Sequence, residues 1–245
     1  VSDQVRQMFN AIAGSYDRAN DVLSFGTHRW WKRWLVRSLG LQPGARALDV
    51  ATGTGDIARL LAEAVAPAGR VVGVDFSATM IERARARFGA SHPAITFETG
   101  DAMNLRFEDE TFDAATISFG IRNVDDPVAG LREMRRVVRS GGAVGVLETG
   151  QPRGVWGGIY RIYSDNVIPF IGGLVSGNRA AYRYLDRTAA RFPCGERFRA
   201  MMLEAGFENV VVRPLFGGIA YLYVGRVEHT SRSASPAVAE EAHAR

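Results

Sequence analysis

From Ala45 onward, short apolar runs alternate with stretches whose apolar positions recur at helical spacing. The runs at 46–50, 70–74, 94–98, 112–118 and 143–149 predict strands, and the segments at 57–66, 78–88 and 127–138 predict helices. Such alternation reads as βαβ units, a mostly parallel sheet with both faces covered. A later helix over 195–205 and strands over 207–213 and 218–225 bring the predicted strands to seven. The expected fold class is α/β, a doubly wound and mostly parallel sheet.

Two segments stand outside that rhythm. Residues 3–39 read as helical, with Met8, Phe9 and Ile12 on one stripe and Trp30, Trp31, Trp34 and Leu35 on another, punctuated by Asn20-Asp21 and Ser24-Phe25-Gly26. Residues 153–192 are apolar and aromatic, from Trp156 and Ile159 through Tyr163, Phe170 and Leu174, with several glycines and Pro169. The organisation expected is one domain over 1–227: a helical cap (1–44), a core (45–150), a helical insertion (151–192), and a last helix with two strands (193–227). After Val227 the chain turns Ser/Ala/Glu-rich, and 228–245 is expected to be a disordered tail. No internal repeat is visible.

Composition narrows the function classes. With 245 residues and 47% hydrophobic content the chain can bury a large core. A single cysteine, Cys194, excludes an intramolecular disulfide and any cysteine-based metal cluster, so no metal is expected. This usage fits a reducing cytoplasm. No secretion signal is visible, and no apolar run approaches the ~20 residues needed to cross a bilayer. A net charge of +4 invites a nucleic-acid partner. However, Lys32 is the sole lysine and the arginines are spread along the chain, as on solvated helix faces, so no nucleic acid is expected.

Candidate chemistry begins at Ala47-Leu48-Asp49-Val50-Ala51-Thr52-Gly53-Thr54-Gly55-Asp56, where a strand ends in a glycine turn that opens a helix. Gly53 and Gly55 let the backbone turn sharply and approach a ligand. About twenty residues on, the second strand ends in Asp75, an acid placed to accept hydrogen bonds from both hydroxyls of a ribose. An adenosine-containing cofactor follows. Gly53-x-Gly55-x-x-Ala58 formally meets the dinucleotide fingerprint, so an NAD(P)-dependent oxidoreductase is a rival.

Three observations favour a methyl donor. Asp49 lies inside an apolar strand and needs donors, which loop amides or a ligand ammonium group would supply, whereas an anionic pyrophosphate would be repelled. Gly100-Asp101-Ala102 puts an acid at the carboxyl edge of the sheet, suited to the exocyclic amine of adenine, although a turn residue would look the same. No tyrosine has a lysine four residues on, and the lack of lysine also excludes a Walker-type phosphate loop. A nucleic-acid methyltransferase is disfavoured because the chain has no Pro-Pro pair after its fourth strand. A non-catalytic adenosine-binding module is a third class.

The core resembles the class I S-adenosylmethionine-dependent methyltransferases, whose sheet is Rossmann-like. Tyr16-Asp17-Arg18-Ala19-Asn20 through Ser24, His28 and Trp31 further resembles a segment of the menaquinone/ubiquinone biosynthesis C-methyltransferases, with Ala19 in place of methionine. Thr116 to Val124 resembles their fourth-strand segment. Arg136 to Gly150 resembles a third, with Arg139, Ser140 and Gly150 replacing lysine, proline and serine; the last change stands where it can alter acceptor contacts. The resemblance covers roughly 3–227. It implies S-adenosylmethionine as cofactor and C-methylation of a polyprenylated quinol. Leu147 to Pro152 is similar to the menaquinone-specific members, which favours demethylmenaquinol over the methoxy-benzoquinol of ubiquinone synthesis.

A sulfonium methyl is already activated, so the protein must position the partners and exclude water. A ring carbon becomes nucleophilic only when its quinol hydroxyl ionises, which calls for a base or a stabilising cation. By resemblance, Thr54, Asp75, Asp101, Ala102 and Ser118 match cofactor contacts, beside Asp49, Gly53 and Gly55 from the loop. Arg122 and Asn123, just past the fourth strand, are candidates for the quinolate, with a salt bridge from Arg122 to Asp125 or Asp126 as the ordinary alternative. Tyr16, Asp17 and His28 of the cap are candidates for proton transfer; His28 has a suitable unperturbed pKa. The insertion would take the isoprenoid tail and touch a membrane from its inner face, although ordinary core or a homodimer interface would use the same residues.

Overall fold

The computed structural model describes residues 3–228; the predicted tail, but for Glu228, lies outside them. Three helices come first: α1 (Asp3–Ile12), α2 (Tyr16–Leu23) and α3 (Thr27–Ser38). The alternating core follows as β1 (Arg46–Val50), α4 (Asp56–Val65), β2 (Arg70–Asp75), α5 (Ala78–Ala84), β3 (Ile95–Thr99), β4 (Phe112–Ser118), α6 (Pro127–Val137) and β5 (Val138–Thr149). The insertion is helical, with α7 (Gly154–Ile162), α8 (Ile168–Ser176) and α9 (Arg179–Arg191), and α10 (Glu196–Glu204), β6 (Glu208–Leu215) and β7 (Ala220–Arg226) finish the fold.

All seven predicted strands form one sheet in the order β3-β2-β1-β4-β5-β7-β6. β1 to β5 run parallel, and β7 is antiparallel to both its neighbours. Local chemistry sets the helix starts. The Asp126 carboxylate accepts from Val128 N–H and Ala129 N–H at the head of α6, with Pro127 in the first turn, and Ser77 caps α5. The largest boundary shift is at β5: the predicted helix 127–138 stops at Val137, because Val138 turns extended and pairs with Phe112, so β5 begins five residues before the predicted Ala143.

The sheet is buried on both faces. Trp31, Leu35, Ile57, Leu61 and Ile81 cover one side, and Leu131, Met134, Phe198 and Met202 the other. A third cluster joins the cap to the carboxyl edge through Phe9, Ile12, Ala19, Met80 and Tyr182. The chain winds outward from β1 through β2 to β3 and then crosses back to β4 on the other side of β1, and this reversal opens a crevice at the carboxyl ends of β1 and β4.

Candidate active site

The loop after β1 is built as its glycines require. Gly53 and Gly55 take φ of +55° and +89°. A Cβ on Gly53 would meet nothing within 4 Å, so its face stays open to the crevice, whereas one on Gly55 would press on Phe88 and Phe97 at 3.0 Å. Asp75 braces the turn: its Oδ2 accepts from Gly53 N–H and its Oδ1 from Ser77 N–H, both at 2.9 Å. Burial nevertheless pushes this carboxyl up to about 6, against those two bonds.

Asp49 is almost completely buried, and the donors the chain gives it are hydroxyls, not loop amides. Thr52 Oγ1 donates to Oδ2 at 2.6 Å and Thr116 Oγ1 to Oδ1 at 2.8 Å. Burial raises its pKa to about 7, because two hydroxyls offset only part of the desolvation. Thr54 Oγ1 donates to Asp17 Oδ1 at 2.7 Å, and Arg87 holds the other oxygen of Asp17 at 2.8 Å. Asp17 therefore latches the cap onto the loop, with both oxygens engaged. Asp56, next along, has burial outweighed by Lys32 and Arg87, at 2.9 and 3.1 Å, and falls to about 2.

Past the loop, a slot of about 60 Å³ runs between Phe9, Tyr16, Asp75, Phe76, Met80, Ala102, Ser118 and Asn123. Two buried polar atoms on its walls, Ser118 Oγ and Asn123 Oδ1, have no hydrogen-bond partner among the described residues. Buried polar groups are normally paired, so these suit a ligand. Of the predicted cofactor contacts, Gly53, Asp75, Ala102 and Ser118 line this slot, whereas Asp49, Thr54, Gly55 and Asp101 do not. Asp101 is exposed at the rim, its Oδ1 takes Met103 N–H at 2.9 Å, and Gly100 and Ala102 line the slot in its place. The turn reading describes it as it stands.

Tyr16, Ala51, Gly53, Ser118 and Phe119 also line a second, far larger cavity of about 880 Å³. Its walls bring in Trp31, Trp156, Tyr160, Tyr163 and Tyr182 as well as Asp49, His28 and Arg122. Arg122 is not paired with Asp125 or Asp126. Its guanidinium donates to Glu148 Oε1 at 2.5 Å and to Phe119 O at 2.9 Å, and Asp126 is occupied as the α6 cap. Both side chains of the pair are buried, and Arg122 Nε and Glu148 Oε2 have no hydrogen-bond partner among the described residues.

His28 departs most from expectation. It is buried, and first burial and then Lys32 hold its pKa down to about 4, so it is neutral at physiological pH rather than poised near 6.5. The Ser24 hydroxyl lies 2.6 Å from both Asn20 O and His28 Nδ1, and His28 Nε2 lies 3.6 Å from Asp21 Oδ1.

The ubiE/COQ5 methyltransferase family model matches residues 1–226. The chain belongs to that family. Its relatives include the ubiquinone/menaquinone biosynthesis C-methyltransferase UbiE of Bdellovibrio bacteriovorus, 46% identical over 91% of this chain and 96% of that protein. The demethylmenaquinone methyltransferase of Staphylococcus aureus is 41% identical over 92% of this chain and 94% of its own. Among solved structures, an S-adenosylmethionine-dependent methyltransferase of Thermotoga maritima, a possible histamine N-methyltransferase, superposes with a TM-score of 0.65 at 26% identity over 91% of this chain and 99% of that one. Family membership makes this an S-adenosylmethionine-dependent C-methyltransferase and leaves the oxidoreductase reading without support.

Sequence reasoning named Glu148 only as part of a motif, not as a site residue. An acid at the penultimate position of an apolar strand was the signal available. Tyr160 and Tyr182 gave none, because aromatics in an apolar insertion look like core until the helices close on the cavity.

Proposed function

We propose that this family member methylates a ring carbon of a polyprenylated quinol, demethylmenaquinol first, in the cavity above Arg122. The carrying observation is the shared wall: Tyr16, Gly53, Ser118 and Phe119 border both the adenosine slot and the aromatic cavity. The slot's residues suit S-adenosylmethionine. Asp75 retains lone pairs for ribose hydroxyls, Ser118 and Asn123 offer unpaired polar atoms, and Asp49 favours a cation nearby. When bound there, the cofactor supplies the activated methyl group.

The remaining work falls to the chain. Trp31, Tyr160 and Tyr163 give an aromatic ring apolar surface to lie on. Arg122, fixed by Glu148 and Phe119 O, presents positive charge where a quinol hydroxyl becomes an oxyanion, in a site that dampens it less than water. His28 is a neutral imidazole on the wall, a base weakened by its burial, so most of the assistance comes from Arg122. Tyr16 and Asp17 close the cap, with Asp17 acting through Thr54. The cavity mouth carries Phe25 and Ile159, 82% and 56% exposed, which suits an isoprenoid tail leaving toward a membrane surface. No helix among the described residues is long and apolar enough to cross one.

The test is incubation with S-adenosylmethionine and demethylmenaquinol, with mass analysis of the product. The methoxy-benzoquinol is the second acceptor to assay, because the Bdellovibrio relative is named for both quinones. In the same assay Arg122→Ala is expected to lose ~10²–10³-fold in turnover, the range for removing an oxyanion donor. Tyr16→Phe, Asp17→Asn and His28→Gln should lose less. Near-normal rates in all four would sink this assignment of roles.

A further inference from the structure

A second large cavity, of about 1040 Å³, lies along α7 and shares Gln151, Pro152, Gly157 and Arg161 with the wall of the quinol cavity, while Arg153 and Arg197 belong to it alone. Arg153, Arg161 and Arg197 line it, against one acid, Glu196. All three arginines are exposed, and none has an ion-pair partner among the described residues. Glu196 faces Arg199 at 3.4 Å. The first turn of α10 borders the cavity at Glu196 and Arg197, adding the partial positive charge of a helix start. Three uncompensated guanidinium groups around one concavity favour an anion, phosphate above all.

The same helix says which kind of anion. Val155, Ile159 and Ile162 recur at i, i+4 and i+7 along α7 and are 84%, 56% and 67% exposed. Phe25, 82% exposed, meets Tyr163 at the end of this stripe with ring centroids 6.4 Å apart. An exposed apolar stripe flanked by unpaired arginines is the composition of a helix lying in a lipid interface. A soluble phosphate would leave the stripe in water; a lipid headgroup puts it against acyl chains.

We infer that the Arg153–Arg161–Arg197 cavity is a headgroup site for an anionic phospholipid, seating α7 on the membrane with the quinol mouth facing it. The inference rests on the proposed lipid-borne acceptor only for its purpose, not for its geometry. The full chain, without quinol or cofactor, is titrated with vesicles of phosphatidylcholine alone and with about 30% phosphatidylglycerol. Each arginine near such a surface contributes about fivefold, so Arg153→Gln/Arg197→Gln should bind the anionic vesicles ~30-fold more weakly. Wild-type binding should also fall steeply between about 0.05 and 0.5 M salt.

Equal binding to both vesicle types, or an unchanged double variant, overturns the proposal. So does competition by millimolar inorganic phosphate that abolishes vesicle binding, which makes the occupant a soluble anion. Arg153 and Arg197 lie outside the quinol cavity, so turnover of a short-tailed quinol in solution should be unchanged in the variant. Absence of that turnover in the wild type counts against the methyl-transfer reading and leaves the vesicle result standing.

Discussion

Replacing Glu148 with alanine isolates what holds the proposed oxyanion donor. The side chains of Arg122 and Glu148 are 7% and 2% exposed, so the pair is almost dry. Removing Glu148 leaves a buried guanidinium with Phe119 O as its remaining recorded partner. Breaking a buried pair from one side costs about 3–5 kcal/mol, since the orphaned charge keeps its desolvation penalty. For a chain of this length that is a fall of roughly 6–20 °C in melting temperature. Arg122→Ala should cost less, because Glu148 Oε1 still accepts from Thr149 N–H at 2.7 Å and from its hydroxyl at 3.1 Å, and a carboxyl can take up a proton. The double variant should be more stable than Glu148→Ala alone. Urea or thermal unfolding of the four proteins gives the coupling energy directly. A loss below about 1 kcal/mol in Glu148→Ala, with additive singles, would refute the claim that this pair is a rigid buried unit. Glu148→Gln keeps an acceptor at Oε1, so it should fold nearly normally while lowering turnover through a looser Arg122.

Three further outcomes follow from the same geometry. The Asp49 carboxyl titrates near 7 when folded against 3.8 unfolded, so the folded state holds the extra proton between those values and stability falls as pH rises through that window. Asp49→Asn should flatten the slope between pH 4 and 7, read by denaturant melts, and identical slopes in both proteins would contradict it. His28 has the opposite sign: its folded pKa near 4 lies below the unfolded 6.5, so the unfolded chain binds the extra proton and stability is lost as pH falls from 6.5 to 4. His28→Gln should remove that component, and its turnover should show no acid limb near 6.5 to lose. At Gly150 a Cβ would lie 2.3 Å from Gly218 O and 2.5 Å from the Tyr221 ring, so Gly150→Ser should destabilise by about 1–3 kcal/mol. A melting point unchanged to within a degree would mean that the 216–218 turn yields freely.

The sheet was legible because its signals are local. Seven apolar runs, two glycines at positive φ and Asp75 at the end of β2 each act within a few residues of themselves, and each stands in the fold where its pattern puts it. The site was legible only where one element decides it. Asp17 and Thr54 are 37 residues apart, Arg122 and Glu148 are 26, and Asp49 and Thr116 are 67, and no period in the sequence connects any of these pairs. Titration behaviour was the least legible. His28 carries an ordinary imidazole, and its pKa is set by how deeply α3 buries it beside Lys32.

Those long-range pairs share a purpose that no single residue reveals. Asp17 ties the cap to the cofactor loop, Glu148 ties the residue after β4 to β5, and Gln151 Nε2 ties the end of β5 to the carbonyls of Ala189 and Phe192 in the insertion. Cap, loop and insertion thus meet the rigid sheet edge through charge-assisted or paired hydrogen bonds, not through apolar contact alone. Apolar contact tolerates sliding, whereas these bonds fix register. Methyl transfer in line from one cavity into the next demands that the two cavities keep their separation to a fraction of an ångström. The polar ties around an otherwise apolar chamber are the physical means of holding it, and for that reason loosening Arg122 should cost rate before it costs binding.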